Sequence, residues 1–244
     1  MRLVDTHAHL EELTDIEGAL ERAEAKELVA IVAVGSSTKA NEKVLSLAEK
    51  FSDLVYAAIG IHPQEAETES REAINFIERH ASRCVAIGEI GLDHKYNVNR
   101  SRQRKIFENM LQIAKKHEKA VVLHSRGAWD DVLSSVQENN IRKAVFHWYS
   151  GPLDTLKKVL DNGYFISATP AVEYSLRHRD AIKTAPVESI LLETDTPVRY
   201  RGVPSEPSDV TKVLDATAEI KGIAVDQLAD ATTRNACNLF EVSF

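Results

Sequence analysis

The sequence predicts an α/β fold, a single-domain (β/α)8 or TIM barrel whose active face lies at the C-terminal ends of the strands. Three observations predict it. Short apolar or β-branched runs alternate with longer amphipathic stretches along the whole chain. The cores of the short runs, among them LVAIVAV, VYAAIGI, AVVL and ILL, are nearly continuous in hydrophobicity, as parallel strands covered by helices on both faces are. Eight such units in 244 residues match the usual size of a (β/α)8 barrel.

Strands are expected at 3–9, 29–35, 55–62, 85–92, 120–125, 144–149, 164–168 and 190–195, with a helix after each. The clearest helical patterns are 41–51, 71–81, 102–117 and 130–138. Within 102–117, Ile106, Phe107, Met110, Leu111 and Ile113 keep an i, i+3, i+4 rhythm with charged residues between them. Strand starts recur at roughly 20 to 35 residues, the span of a βα unit, and parallel neighbours need such crossovers. An open doubly wound sheet shares this alternation. No GxGxxG or GxxxxGK(S/T) phosphate loop follows the first strand, however, which removes the commonest reason to prefer that sheet. No Pro/Gly/Ser linker or shift in composition divides the chain, so 1–244 reads as one domain.

Hydrophobic content of 43% with 27% charged residues excludes disorder, collagen-like repeats and coiled coil. The longest apolar run, 28–34, falls far short of the roughly 20 residues that span a bilayer. Met1-Arg2-Leu3-Val4 meets Asp5 at once, which leaves no room for a signal-peptide core. The two cysteines, Cys84 and Cys237, give no disulfide framework and read as small buried hydrophobes. A cytoplasmic protein without a membrane or stable protein partner is therefore expected. The 30 Lys+Arg against 37 Asp+Glu, net charge -7, argue against coating of long duplex DNA by a broad basic face. They leave room for an enzyme that takes a nucleic-acid end into a local site.

The polar residues are placed unevenly. Five of the nine histidines, His7, His9, His62, His124 and His147, fall at the ends of expected strands, the active-site face of such a barrel. Glu89 and Asp93 join them from strand 4, and Glu193 and Asp195 from strand 8. His7 and His9 share one face of a strand because side chains repeat every two residues, so the pair can pinch one metal. Glu89 lies in an apolar strand, AIGEIG, and a buried carboxylate requires a cation or hydrogen-bond partner. Four His, one Glu and one Asp converge from strands 1, 4, 5, 6 and 8. That is more than one tetrahedral ion needs, whereas two ions sharing a carboxylate use them all. His80, His117 and His178 lie among charges and read as surface residues.

The ordered blocks DTHAHL (5–10), GIHP (60–63), GEIGLD (88–93), LHSR (123–126), FHWYSG (146–151) and LETDTP (192–197) resemble the TatD family of metal-dependent deoxyribonucleases, within the amidohydrolase-like hydrolases. TTRNACNLF (232–240) looks like that family's closing TxxNxxxLF segment, so the resemblance spans essentially the whole chain. It implies His7, His9, Glu89, His124, His147 and Asp195 as metal ligands, with Glu89 bridging. It also implies a nuclease acting on DNA from an end, 3′ to 5′. The chain departs from the family pattern at Gln64, where a second His is common, and at Trp148 and Tyr149, where FHCFSG is usual. His94 replaces an aromatic residue after GLD, and Ser205-Glu206-Pro207 replaces NEP.

On this basis His7, His9, Glu89 and Asp195 are expected to hold one divalent ion and Glu89, His124 and His147 the other, with Zn, Mn or Mg as candidates. Asp195 and Glu89 are the expected catalytic carboxylates, Asp195 orienting the attacking water or taking its proton. For DNA ends or oligonucleotides, the expected contacts are His62, Arg126, Arg100, Arg102, Tyr149 and Arg199, with Tyr96 or Trp148 as stacking surfaces. His62 stays open between a phosphate contact and a structural histidine. Arg100 and Arg102 belong to a basic stretch, 94–107, without an acidic residue; basic groups at a helix start oppose the macrodipole. The same ligands would also serve an amidohydrolase-type hydrolase of a small ester, amide or lactone, or an aminoacyl-tRNA deacylase.

Overall fold

The apolar runs become eight parallel strands: β1 Leu3–Ala8, β2 Leu28–Val34, β3 Val55–Ile59, β4 Ala86–Gly91, β5 Ala120–His124, β6 Ala144–Phe146, β7 Phe165–Ala168 and β8 Ile190–Leu192. The computed structural model of the chain describes residues 2–68 and 70–243. Each strand pairs in parallel with the next, in strict chain order. The ring comes round at β1, where Ala8 bridges Thr196, just beyond β8. Thr6 Oγ1 donates to Leu192 O at 3.0 Å, and Asp195 N donates to His7 O at 2.9 Å. The fold is a (β/α)8 barrel.

The helices are α1 Ile16–Glu24, α2 Thr38–Lys50, α3 Arg71–His80, α4 Arg100–Lys116, α5 Trp129–Glu138, α6 Leu153–Asp161, α7 Leu176–Thr184, α8 Val210–Lys221 and α9 Val225–Phe240. After β8, a short hairpin of β9 Arg199–Tyr200 and β10 Val203–Pro204 precedes the last two helices. There is thus one helix more than the repeat predicts. The extra helix has a use, because Ala236, Leu239 and Phe240 of α9 pack with lumen residues Val4, Val32, Val122 and Leu191. Asn235 Nδ2 donates to Val187 O and Ile190 O, and Thr233 Oγ1 to Arg2 O, which anchors α9 at the N-terminal strand ends. Among the described residues, no helix is long and apolar enough to cross a membrane.

Three strands stop three residues short of their expected ends, the others at most one. β3 ends at Ile59 rather than His62, β6 at Phe146 rather than Tyr149, and β8 at Leu192 rather than Asp195. The chain turns over the barrel mouth at these points. His62 caps the turn Pro63–Glu65, its Nδ1 accepting from Gln64 N. Trp148 (φ 43°) and Asp195 (φ 51°) adopt left-handed backbone that no ladder accommodates. At the start of α4, the Asn99 side chain accepts from Arg102 N, so the helix begins at Arg100 rather than Arg102.

His178 is a correction to the sequence reading: it is fully buried, not at the surface. Its Nδ1 donates to Tyr149 O at 2.8 Å and its Nε2 accepts from Thr169 N at 3.1 Å, which ties the loop after β6 to the loop after β7. Burial holds its pKa below the usual imidazole value, in keeping with a neutral ring that donates once and accepts once. Cys84 is buried as expected, whereas Cys237 is half-buried.

Close approach around the mouth depends on two glycines and one asparagine. A Cβ on Gly91 (φ 145°) would lie 1.9 Å from His124 O, and one on Gly60 would lie 2.7 Å from Glu89 O. Asn41, fully buried on α2, donates to Gly60 O at 2.7 Å and accepts from Gly60 N at 3.1 Å. Asn41→Ala would strip two buried backbone groups of their partners, which is expected to cost about 2–3 kcal/mol. A urea midpoint lowered to match, at unchanged m, checks it; an unmoved midpoint would contradict it.

Candidate metal centre

The bent strand ends bring His7, His9, Glu89, His124, His147 and Asp195 together at the barrel mouth. His7, His9 and Asp195 form one compact group, their donor atoms all within 4.8 Å of one another, and Glu89 Oε2 stands beside the two imidazoles. His7 Nε2 lies 3.3 Å from His9 Nε2, 3.6 Å from Glu89 Oε2 and 3.5 Å from Asp195 Oδ1. His9 Nε2 lies 3.6 Å from each of the same two carboxylate oxygens. These spacings exceed the 2.7–3.2 Å usual for hydrogen bonds. A tetrahedral ion with bonds of about 2.0–2.2 Å sets its donors roughly 3.3–3.6 Å apart. The group therefore fits a shared cation better than it fits direct bonding.

The other Glu89 oxygen faces a second group. Oε1 lies 2.8 Å from His124 Nδ1, 2.9 Å from His147 Nε2 and 3.7 Å from His62 Nε2. Each of the two nearer rings is held from behind by a buried carboxylate. Asp93 Oδ2 lies 2.7 Å from His124 Nε2, and Glu193 Oε1 lies 3.3 Å from His147 Nδ1. Carboxylates in that position fix which imidazole nitrogen faces the site and raise its basicity. Sequence reasoning noted Asp93 and Glu193 at strand ends without this role; their places in GLD and LET were the available signal.

Burial and charge compete here. Burial alone would raise Glu89, but His147 first, then His62 and His124, hold its carboxyl well below the usual range. Burial would lower His147, but Glu89 and Glu193 hold it well above the usual imidazole value. His9 is raised in the same way, against burial, by Asp195 and Glu89. His62, part-buried in the cleft wall and farther from Glu89, is pushed down to about 3 by desolvation and is neutral. The site is thus rich in carboxylate charge, which imidazole protons or bound cations can balance.

Above the donors opens a cleft of about 860 Å³. His62, Arg126, Tyr96, Trp129, Trp148 and Tyr174 line it, with Glu12 and Glu65 also in its wall. The Arg126 guanidinium lies 5.8 Å from the centre of the Tyr96 ring. The remaining expected substrate contacts lie elsewhere. Tyr149 is fully buried, its hydroxyl donating to Pro152 O at 2.7 Å, so the ring packs in the helix layer. Arg102 Nε donates to Ala66 O, exposed Arg100 opens α4, and Arg199 donates to Gly202 O within the hairpin; none of the three lines the cleft.

The model of the TatD-related DNase family matches residues 4–241. The chain belongs to this family. It is 31% identical to the metal-dependent hydrolase YabD of Bacillus subtilis over 255 residues, covering 99% of this chain and all of that one. It is also 31% identical to the human deoxyribonuclease TATDN3, covering 98% of this chain and 94% of that protein. The crystal structure of the TatD homologue YjjV from Escherichia coli K12 superposes with a TM-score of 0.93 at 30% identity, covering 99% of this chain and 98% of that one.

The departures from the usual TatD residues surround the six donors without replacing one. Gln64 and Trp148 line the cleft. His94 Nε2 lies 3.4 Å from Asp131 on α5, and Ser205 Oγ donates to Val198 O.

A pH dependence follows from the two shifted groups. Raised His147 stabilises the metal-free fold fully below its unfolded value near 6.5, and this contribution is lost as pH rises through the higher folded value. Lowered Glu89 contributes above 4.5 and is lost as pH falls through its lower folded value. A divalent cation held through His147 would displace its proton, so binding near neutral pH is expected to release protons and weaken as pH falls. Titration calorimetry in two buffers of different ionisation enthalpy checks this; buffer-independent heats would contradict it.

Proposed function

We propose that this TatD-family chain is a divalent-metal-dependent nuclease that hydrolyses DNA phosphodiester bonds from a strand end, 3′ to 5′. The observation that carries the reading is Glu89, whose two oxygens face separate donor groups on the floor of one cleft. The deoxyribonuclease names of the family and of TATDN3 support the substrate class. His7, His9, Glu89 and Asp195 would hold one ion and Glu89, His124 and His147 the other, with Zn, Mn or Mg as candidates. Cations bound there would make water more acidic and neutralise charge on the phosphate. A cytoplasmic setting without a stable protein partner belongs to the same proposal.

The chain's own groups supply the rest. Asp195 is held by its own N–H on His7 O, and its carboxylate lines the cleft floor, where it orients the water and takes its proton. Arg126 offers the guanidinium that grips a phosphate oxygen, with Tyr96 beside it. A second reading, an amidohydrolase-type hydrolase of a small ester, amide or lactone or an aminoacyl-tRNA deacylase, draws on one observation. Among the described lining residues, Arg126 is the one Lys or Arg, while Glu12 and Glu65 share the wall.

Nucleotide release from labelled single-stranded DNA, with Mg or Mn against EDTA, tests the choice. Asp195→Asn is the control, because Asn tolerates the left-handed backbone at φ 51°. It is expected to lower kcat by roughly 10²–10⁴-fold with the fold and much of the metal retained. Wild-type turnover in the variant would end the Asp195 role. Folded, metal-loaded protein that releases nothing would favour the acyl or amide reading.

A further inference from the structure

The loops of the barrel divide the cleft by chemistry. Glu12 and Glu65 come from the loops after β1 and β3. Arg126 and Tyr96 follow β5 and β4, and Trp148, Tyr174 and Val198 follow β6, β7 and β8. Since the strands run in chain order round the barrel, the last three stand on neighbouring loops of the cleft wall, with Ser150, Ser175 and Asp195 among them.

Trp148 is the most firmly built part of this wall. A bulky residue with left-handed backbone is uncommon and persists only where its surroundings over-determine it. Here its N–H donates to Ser167 Oγ at 2.9 Å and to Glu193 Oε1 at 3.0 Å, the same oxygen that faces His147 Nδ1. The indole is backed by the Tyr200 ring at 5.4 Å, and the Tyr200 hydroxyl donates to Thr194 O. One carboxylate therefore sets both the imidazole at the donor cluster and the turn that presents the indole. The Tyr174 ring lies beneath the Arg201 guanidinium at 4.8 Å.

Resting on the phosphodiesterase reading above, we infer that Trp148 and Tyr174 form a nucleobase subsite that stacks an unpaired base of the strand being cut. A phosphate held near the donors and Arg126 leaves its attached base free to reach the Trp148 and Tyr174 rings in the wall of the same cleft. Stacking on aromatic rings is tolerant of sequence because every base has a π face. It requires a base that is not paired. The block FHWYSG places Trp148 and Tyr149 as adjacent aromatics; only the first lines the cleft.

Trp148 and Trp129 are the two tryptophans of the chain. In metal-loaded protein carrying Trp129→Phe, fluorescence therefore reports Trp148 alone. Saturable quenching by thymidine monophosphate, and none by abasic deoxyribose phosphate, is the expected result. In kinetics, Trp148→Asn keeps a residue that accepts left-handed backbone and removes the ring. It is expected to raise KM for single-stranded DNA on the order of tenfold, with a smaller change in kcat and most of the loss restored by Trp148→Phe. Wild-type protein that cuts DNA while Trp148→Asn keeps its KM, or quenching equal for the nucleotide and the abasic sugar, would overturn the subsite alone. Wild-type protein that neither cuts DNA nor is quenched would overturn the nuclease reading with it.

Discussion

The carboxylate of Glu89 is the constraint around which the barrel mouth is organised. It is 3% exposed, and an ionised carboxylate at that depth is tolerable only with positive charge and donors around it. His7 and His9 approach one oxygen and His124 and His147 the other, so β1, β4, β5 and β6 must all end within reach of one group. The glycines at 60 and 91 give the backbone clearance for this approach. Asp93 and Glu193 then face the outer nitrogens of two imidazoles, adding carboxylate charge that the site must balance in turn.

The seam between β1 and β8 is the second requirement, because His7 and Asp195 lie on opposite sides of it. Asp5, fully buried, spans the seam: Oδ1 accepts from His7 N and Thr194 N, and Oδ2 from Thr194 Oγ1 at 2.5 Å. Burial pushes Asp5 up to about 8 despite these bonds. A residue that belongs to the DTHAH motif by sequence thus works as a clasp beneath the donors. The closing segment of the chain does similar work at the other end, where Asn235 and Phe240 hold α9 across the barrel floor.

The barrel was legible because strands buried on both faces read as continuous apolar runs, and the donors because histidines and acids recur where those runs end. What was not legible has physical reasons. The expected strand ends at His62, Tyr149 and Asp195 are displaced by turns, and an aromatic residue such as Trp148 does not announce left-handed backbone in a sequence. That turn is why Trp148 lines the cleft while neighbouring Tyr149 is buried. His178 stands in LRHRD, where flanking charges suggest solvent, yet it fills a gap between two loops and satisfies a carbonyl and an N–H. Arg100 and Arg102 are basic for their place at a helix start, but α4 begins outside the cleft wall. Whether a carboxylate faces a cavity or the back of an imidazole is decided by strand bending, so GLD and LET put Asp93 and Glu193 at strand ends without giving their roles.

The claim that most of the account rests on is that Glu89 is shared by two cation positions. Metal stoichiometry by calorimetry on wild-type protein and Glu89→Gln tests it directly, since glutamine keeps the shape and removes the charge. Two ions per wild-type chain, with at least one lost from the folded variant, is the expected result. A single ion in the wild type, or two ions of undiminished affinity in Glu89→Gln, would contradict it.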